Sequence, residues 1–512
     1  MSSQNINRKH TMNIGIGLLV AALILFLSTL FGNHYKLTTD GILSGINNEQ
    51  HIEQVAPAIT WMLNKEYNSV FSFVHDFRES IHNYNKSTKR NKMWADILYN
   101  DYTFNISKIS CTGWVRDNNV LLLSIIMLLL LSGAALFITA RFGVKDPGIK
   151  HNGIFFNKLN ARGWMAMIAG TLMITFYLIL YFAPEYIVNW VILVDPVSNF
   201  LKGSDASQWF LYGFLYTVAV LVMGVRMMLK YHGNLYQQVR TASVMFFQTT
   251  LAFIIPEILV ALNKPWYDFK NIWPLNYTFF YDWNLKQMIA SGTIGWFMLI
   301  WGILLIIIAV PVFTYFFGKR WYCSWVCGCG GLAETLGDPF RQLSDKSLRA
   351  WKIERWIVHS VFVFAVVMTA FTLANYFSGN KILGYETRIL HRVYGLLIGS
   401  IFAGVVGTGF YPLMGNRMWC RFGCPLAAYL GFVQRFKSRF RITTNGGQCI
   451  SCGNCSTYCE MGIDVRAYAQ RGENIVRSSC VGCGVCSAVC PRGVLKLENA
   501  DEKTRFAFHT IG

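Results

Sequence analysis

Eight cysteines towards the C-terminus are spaced for one kind of chemistry. Cys449, Cys452, Cys455 and Cys459 follow C-x2-C-x2-C-x3-C, and Cys480, Cys483, Cys486 and Cys490 repeat it, with Pro491 after the last. Three thiolates so closely spaced can wrap three corners of an iron–sulfur cube, because the short intervening pairs (Ile450-Ser451, Gly453-Asn454, Val481-Gly482, Gly484-Val485) allow a tight loop. The fourth corner of each cube comes from the distant cysteine of the other run. The spacing therefore predicts one [4Fe–4S] cluster on Cys449, Cys452, Cys455 and Cys490, and a second on Cys480, Cys483, Cys486 and Cys459. Zinc would use separated C-x2-C pairs rather than two consecutive x2 gaps and an x3 gap. Eight cysteines with this spacing, twice over, are not a chance arrangement.

A second repeated phrase lies upstream. Gly318-Lys319-Arg320-Trp321-Tyr322-Cys323-Ser324-Trp325-Val326-Cys327 and Gly415-Asn416-Arg417-Met418-Trp419-Cys420-Arg421-Phe422-Gly423-Cys424-Pro425 share the form G-x-R-x-aromatic-C-x3-C. Each follows an apolar run, so a repeated helical unit would bring both pairs to one depth. Cys323, Cys327, Cys420 and Cys424 are enough for a third cluster or one tetrahedral zinc, with Cys329 as a substitute ligand; redox-active or structural thiols are the other readings.

The C-terminal run resembles the bacterial two-cluster ferredoxin over about 445–498, with Glu460 where that family has a proline after the fourth cysteine. Together with the C-x3-C phrases, about 290–498 resembles the NapH/NosR-type membrane polyferredoxins. That resemblance implies electron transfer between the quinone pool and redox partners that serve respiratory reductases. Two departures stand out: Gly328 replaces the proline of the first motif, and no flavin-attachment sequence of the NosR kind occurs in 32–118, so no FMN is expected.

The elements that position these cysteines are membrane helices. Hydrophobic residues make up 53% of the 512 and charged ones 14%, with a mean hydropathy of +0.35, too apolar for a water-soluble surface. Apolar runs fall at Ile14–Phe31 and at about 119–140, 163–182, 208–229, 242–262, 288–317, 356–377 and 393–413. Most match the roughly 20 helical residues needed to cross a hydrocarbon core, and 288–317 is overlong and expected to tilt or to extend beyond the bilayer. The predicted fold is an all-α polytopic membrane protein of about eight spans with a C-terminal α+β ferredoxin domain. Its expected parts are an N-terminal anchor at 1–31, an external (periplasmic) helical domain at 32–118, and a seven-span domain at 119–414 with a C-x3-C loop at 318–355. A basic C-x3-C-P linker at 415–444, the ferredoxin domain at 445–498 and a tail at 499–512 complete it.

The formal net charge of +19 is not spread evenly. Loop 141–162 carries Arg141, Lys145, Lys150, Lys158 and Arg162 against Asp146, whereas 183–207 has Glu185, Asp195 and Asp205 against Lys202. Segment 230–241 has Lys230 and Arg240, and 318–355 and 415–448 are also rich in Lys and Arg. The positive-inside rule places these basic loops and the two termini in the cytoplasm of a bacterial inner membrane. Thirteen of the fourteen cysteines lie after residue 322, on the same reducing side. Nothing points to nucleic acid.

Ionisable groups within spans are functional candidates. Glu257 and His391 are candidates for taking protons from a quinol near the outer face. The aromatic loop 263–287 reads as an interfacial belt or as the rim of a quinone pocket. Arg435-Phe436-Lys437-Ser438-Arg439-Phe440-Arg441 reads as a membrane-surface anchor, or as a docking site for an acidic redox partner. No Walker loop or nucleophile elbow is present. The function expected is electron transfer among a cytoplasmic redox protein, the clusters, and the quinone pool or an external respiratory protein, as an electron-transfer oxidoreductase component. The alternatives are a metal-centre or oxidase assembly factor and a membrane redox sensor.

Overall fold

The structure, a computed structural model, describes residues 2–46, 48–91, 93, 97–98, 101–143, 162–379, 381, 386–445 and 448–499. Lys145, Asp146, Lys150 and Lys158 of the basic loop, and all of the tail after Asn499, lie outside the described residues. Among the described residues, eight helices are long and apolar enough to cross a membrane: Asn7–Phe31, Asn119–Phe142, Trp164–Phe182, Gln208–Lys230, Leu235–Ala261, Thr293–Phe317, Leu348–Phe377 and Glu386–Gly409. The chain is a multi-pass membrane protein. It divides into two compact units, residues 1–141 with 178–214, and residues 142–177 with 215–512.

The first unit pairs its two spans through glycine. A Cβ on Gly15 would lie 2.9 Å from the Gly133 carbonyl oxygen, so only small residues allow so close a backbone approach. Arg8 Nε donates to the Ala140 carbonyl at 2.7 Å further along the same pair. Between these spans in sequence lies a small domain of helices and three short antiparallel strands, β1 (His34–Lys36), β2 (Glu66–Tyr67) and β3 (Cys111–Thr112), in the order β2-β1-β3. The long helix Val70–Arg90 buries Val70, Phe73, Val74 and Phe77 at helical spacing against β1 and the helix Glu49–Ile59.

Residues 32–118 do not complete this core alone. Val188 and Ile192 are part of it, and Lys108 Nζ pairs with Asp195 at 2.8 Å. Asn189 Nδ2 donates to the Thr29 and Leu30 carbonyls, while its Oδ1 accepts from Tyr35 at 2.7 Å. Segment 183–207, which by sequence reads as a plain loop, is thus a structural part of the domain.

In the second unit, two spans carry a π-helical segment just before a proline. Thr250–Ile254 precedes Pro256, and Leu305–Ala309 precedes Pro311. Widening the ladder there accommodates the missing proline N–H and its ring. The overlong run is not one tilted helix: Asp282–Ala290 is separate, and the chain breaks at Gly292, where φ is +68°.

The aromatic segment 263–281 departs most from expectation. It folds into the interior of this unit instead of lying across its rim. Tyr267 OH donates to the Met298 carbonyl at 3.2 Å, and the Phe269 carbonyl accepts from Trp301. The Lys270 carbonyl accepts from Tyr322 OH at 2.8 Å, beyond the far end of the same span. Trp273 Nε1 then donates to Thr369, and Phe279 packs on Gly302. Only Trp266 (54% exposed) and Trp283 (59%), near the two ends of the segment, remain as belt residues. Such irregular backbone is tolerated among membrane helices because protein partners satisfy it.

The cysteine-rich region is held by β4 (Phe440–Thr444) and β5 (Leu495–Asn499), antiparallel from Phe440↔Asn499 to Thr444↔Leu495. The anchor-like stretch therefore splits. Phe440 and Arg441 are buried in β4, whereas Arg435 and Phe436 are exposed.

Candidate functional site

The two C-terminal cysteine runs turn on residues with left-handed backbone. Ser451 (φ +56°), Gly453 (+78°), Gly482 (+61°) and Gly484 (+75°) occupy the gaps between cysteines. At Gly482 a Cβ would approach the Arg320 Cβ to 2.6 Å, so glycine is required there by space as well as by φ. These loops curl around two hollows. Cys449, Cys452, Cys455 and Cys490 line one, together with Gly453, Arg466 and Pro491. Cys459, Cys480, Cys483 and Cys486 line the other, with Glu460 and Ile463. The structure thus gathers the two quartets in the crossed combination of three neighbours and one distant residue.

Whether these residues suit an iron–sulfur cube is a question of size and charge. Burial pushes the Cys455 and Cys480 thiols up to about 11 and Cys483 up to about 12; neighbouring sulfurs add to the cost of ionisation at Cys455 and Cys480, and the Glu460 carboxylate adds to it at Cys483. Backbone N–H groups oppose this, as from Ile463 to Cys459 Sγ at 3.4 Å. Four thiols crowded around an enclosed space need a multiply positive group to ionise together, and iron supplies that charge.

The C-x3-C phrases fold alike. Gly318 (φ +66°) and Gly415 (φ +94°) each end a helix in a conformation other residues avoid. The second cysteine of each phrase donates its N–H five residues back, Cys327 to the Tyr322 carbonyl at 2.8 Å and Cys424 to the Trp419 carbonyl at 2.9 Å. A new helix then starts, Gly328–Thr335 or Pro425–Lys437. Cys323, Cys327, Cys420 and Cys424 fall in one buried cluster, with Cys329 packed against it. A hydrogen bond from Cys329 is the main influence lowering the Cys327 thiol to about 6, whereas burial pushes Cys323 up to about 12.

Gly328 sits where the re-entrant segment arrives. A Cβ there would lie 2.8 Å from Gln248 Oε1 and 3.1 Å from Lys270 Nζ. Lys270 is itself paired with Asp268 at 3.3 Å. On the opposite side, the ferredoxin region is fastened to the same cysteines' supports: Ser324 Oγ donates to the Val481 carbonyl at 2.9 Å, and Gln434 Nε2 to the Cys480 carbonyl at 2.9 Å. Tyr236 and Gln237, at the start of a span, donate to the Gly482 and Cys483 carbonyls.

Several residues that sequence reading passed over form a buried ionic chain through this region. Arg240 and Arg417 both pair with Glu334. Arg417 also reaches Glu460 at 2.9 Å, and Arg341 reaches the other oxygen of Glu460 at 2.6 Å. Arg341 continues to Asp338, which pairs with Lys230 (2.7 Å) and Arg226 (3.0 Å). Burial raises the Glu460 carboxyl, but Arg341 and Arg417 outweigh it and hold the group down to about 2. Two signals in the sequence pointed here: the arginine repeated in each phrase, and Glu460 in place of proline.

The quinol candidates engage different parts of the re-entrant segment. Glu257 Oε1 accepts from Trp266 Nε1 at 3.3 Å. His391 stacks on Tyr281 with ring centroids 3.6 Å apart, and its Nε2 lies 2.7 Å from Thr372 Oγ1.

Comparison with known families fits this geometry. The 4Fe-4S binding domain matches residues 298–347 and 395–443, each containing one C-x3-C phrase, and the 4Fe-4S dicluster domain matches 441–491. The chain thus carries 4Fe–4S ferredoxin-type domains at the end of a set of membrane-spanning helices. These matches support two [4Fe–4S] clusters. YccM of Escherichia coli (strain K12), whose name assigns it to electron transport, is 28% identical over 201 residues, 36% of this chain and 52% of that one. The methylamine utilization ferredoxin-type protein MauN of Methylobacillus flagellatus is 26% identical over 175 residues, 34% of this chain and 58% of MauN. NirI of Paracoccus denitrificans is 27% identical over 165 residues, 31% of this chain and 24% of NirI. The matched part spans little more than half the length of the first two relatives. No solved structure matches the chain.

Proposed function

We propose that this polyferredoxin carries electrons between a redox protein on its cysteine-bearing face and the quinone pool or a respiratory acceptor on the other. That cysteine-bearing face is cytoplasmic in this reading, as are the two termini, and the membrane is a bacterial inner membrane. Cys449, Cys452, Cys455 and Cys490 hold one cluster; Cys480, Cys483, Cys486 and Cys459 hold the second. Cys323, Cys327, Cys420 and Cys424 hold a third, with Cys329 as the spare ligand.

One observation carries this reading. The four C-x3-C cysteines lie between the ferredoxin region on one side and the tip of a re-entrant segment on the other, in continuous buried contact. A cluster supplies one-electron chemistry; the chain's own task is to space such groups, keep water out and fix their potentials. Glu257 and His391, against the two ends of the re-entrant segment, are the residues proposed to accept quinol protons.

The test is anaerobic iron and sulfide quantification with EPR before and after adding a menaquinol analogue. About twelve irons per chain, falling to about eight in a Cys323→Ser/Cys420→Ser variant, support three clusters. Reduction of the signals by quinol supports the link to the pool. About eight irons, unchanged by those substitutions and indifferent to quinone, refute both. The hydrogen-bonded Cys327–Cys329 pair favours one second reading, a thiol redox sensor, which requires a disulfide between them on mild oxidation and no steady electron flux.

A further inference from the structure

We infer that Arg341 and Arg417 set the reduction potentials of the second and third cysteine sites and couple them electrostatically through Glu460. This rests on the ligand assignment proposed above. Each arginine faces a carboxylate and a cysteine sulfur at once. Arg417 Nη1 lies 3.6 Å from Cys420 Sγ while Nη2 pairs with Glu460 Oε1 at 2.9 Å. Arg341 Nη1 lies 3.9 Å from Cys483 Sγ and 2.6 Å from Glu460 Oε2. A single carboxylate, Glu460, therefore stands between a cation at the membrane-face cysteines and a cation at the ferredoxin cysteines.

Among the described residues, the ion pairs of this chain set five cations, Arg226, Lys230, Arg240, Arg341 and Arg417, against the three carboxylates Glu334, Asp338 and Glu460, a positive surplus within these pairs. All are buried, and Arg417 and Glu460 are both 0% exposed, so water screens little of the surplus. The two arginines that touch sulfur are where that surplus meets the cysteine sites. Among the described residues, the buried Nη2 of Arg341 and the buried Nε of Arg417 have no hydrogen-bond partner. A guanidinium is not deprotonated in a protein, so both arginines carry their charge.

The sign follows from electrostatics. Taking up one electron makes a thiolate-bound cube more negative; its redox partner is oxidised by the same electron, and neither arginine gains or loses a proton. A fixed cation beside the sulfur favours the reduced form, and a carboxylate disfavours it. Because Glu460 leans on both arginines, removing its charge acts on both sites together. The Cys449, Cys452, Cys455 and Cys490 site is an internal control, since the residues lining its hollow include Arg466 and Arg492 but none of this chain.

The experiment is EPR-monitored redox titration of the purified full-length protein, with signals assigned by Cys452→Ser, Cys483→Ser and Cys420→Ser. Arg341→Gln shifts the Cys483-side couple at least tenfold toward the oxidised form, about 59 mV for one electron. Arg417→Gln does the same for the membrane-face couple, and Glu460→Gln moves both in the opposite direction. Arg341→Lys, which keeps the charge, shifts its couple by less than about threefold, an effect smaller than half of that potential change. Water entering a loosened site would favour the more negative reduced form, so it cannot imitate the two Arg→Gln shifts. The inference is overturned if Arg341→Gln and Glu460→Gln shift their couples in the same direction, if neither shifts them, or if the control site moves as far. Should Arg341→Gln fail to assemble, Glu460→Gln and Arg341→Lys still decide. A wild-type protein without membrane-face signals refutes the third-cluster reading, while the Arg341 arm stands or falls separately.

Discussion

Gly330 offers the sharpest test of how the membrane-face cysteines are held. A Cβ at this position would lie 2.0 Å from the Cys323 carbonyl oxygen, 3.0 Å from its carbon and 3.1 Å from Arg417 Nη1. Ordinary contact begins near 3.4 Å, so Gly330→Ala forces the Cys323 backbone back by about 1.4 Å. Overpacking of this kind costs about 1–3 kcal/mol, less than the roughly 5–15 kcal/mol that holds a typical domain together. The chain should therefore fold, but with Cys323 displaced by more than the ~0.5 Å a preorganised site tolerates. The expected outcome is a fall from about twelve to about eight irons per chain, with the two ferredoxin clusters retained. Gly17→Ala, where a Cβ meets nothing within 4 Å, is the matched control and should keep all of them. Anaerobic iron and sulfide analysis with EPR reads the difference. A Gly330→Ala protein with wild-type iron and unchanged signals would refute the tight packing of Cys323 against this helix as the basis of the site.

Three other outcomes follow from the same description. Glu460→Ala leaves Arg341 and Arg417 buried and short of a counter-charge, which should cost about 3–5 kcal/mol; thermal unfolding should fall clearly, and an unchanged midpoint would contradict the role given to Glu460. Burial pushes the Cys111 thiol up to about 11, so it stays neutral at pH 8 with about one thiolate in a thousand; alkylation followed by mass spectrometry should leave Cys111 unmodified until the protein is unfolded. Phe432 and Phe436 are exposed and pack edge to face beside Arg435, so a Phe436→Trp reporter in liposomes should be quenched by brominated lipid. Quenching by aqueous acrylamide instead would remove that helix from the lipid surface.

The sequence made some of this legible because spacing and hydropathy are local properties. Eight apolar runs were visible in the sequence, and the crossed grouping of the ferredoxin cysteines followed from the repeated spacing, in which the distant cysteine of each run serves the other. The repeated G-x-R phrase announced two matching corners, but not that Arg417 would be wholly buried while Arg320 reaches Asn499 at the surface. The ionic chain was illegible because its members are dispersed from Arg226 to Glu460, and charge in a basic loop reads equally well as topology. Segment 263–281 was misread for a related reason. Its aromatic composition suits a membrane interface, and only long-range partners such as Met298, Tyr322 and Thr369 reveal that it turns inward. Segment 183–207 likewise looked like a loop, because the contacts of Asn189 lie about 160 residues away.

That last contact sets an order on biosynthesis. The small domain of the first unit begins at β1, directly after the first span, yet Val188, Asn189 and Ile192 belong to its core. A ribosome must make two further membrane helices, Asn119–Phe142 and Trp164–Phe182, before those residues emerge. Until then Tyr35 has no Asn189 to bond, and the apolar face around Val55 and Phe77 is incomplete. Nascent chains paused near residue 118 should accordingly be protease-sensitive and chaperone-bound, and those extended past about 210 should not. The domain is completed only by residues made after those two helices, so its maturation reports that synthesis has passed them.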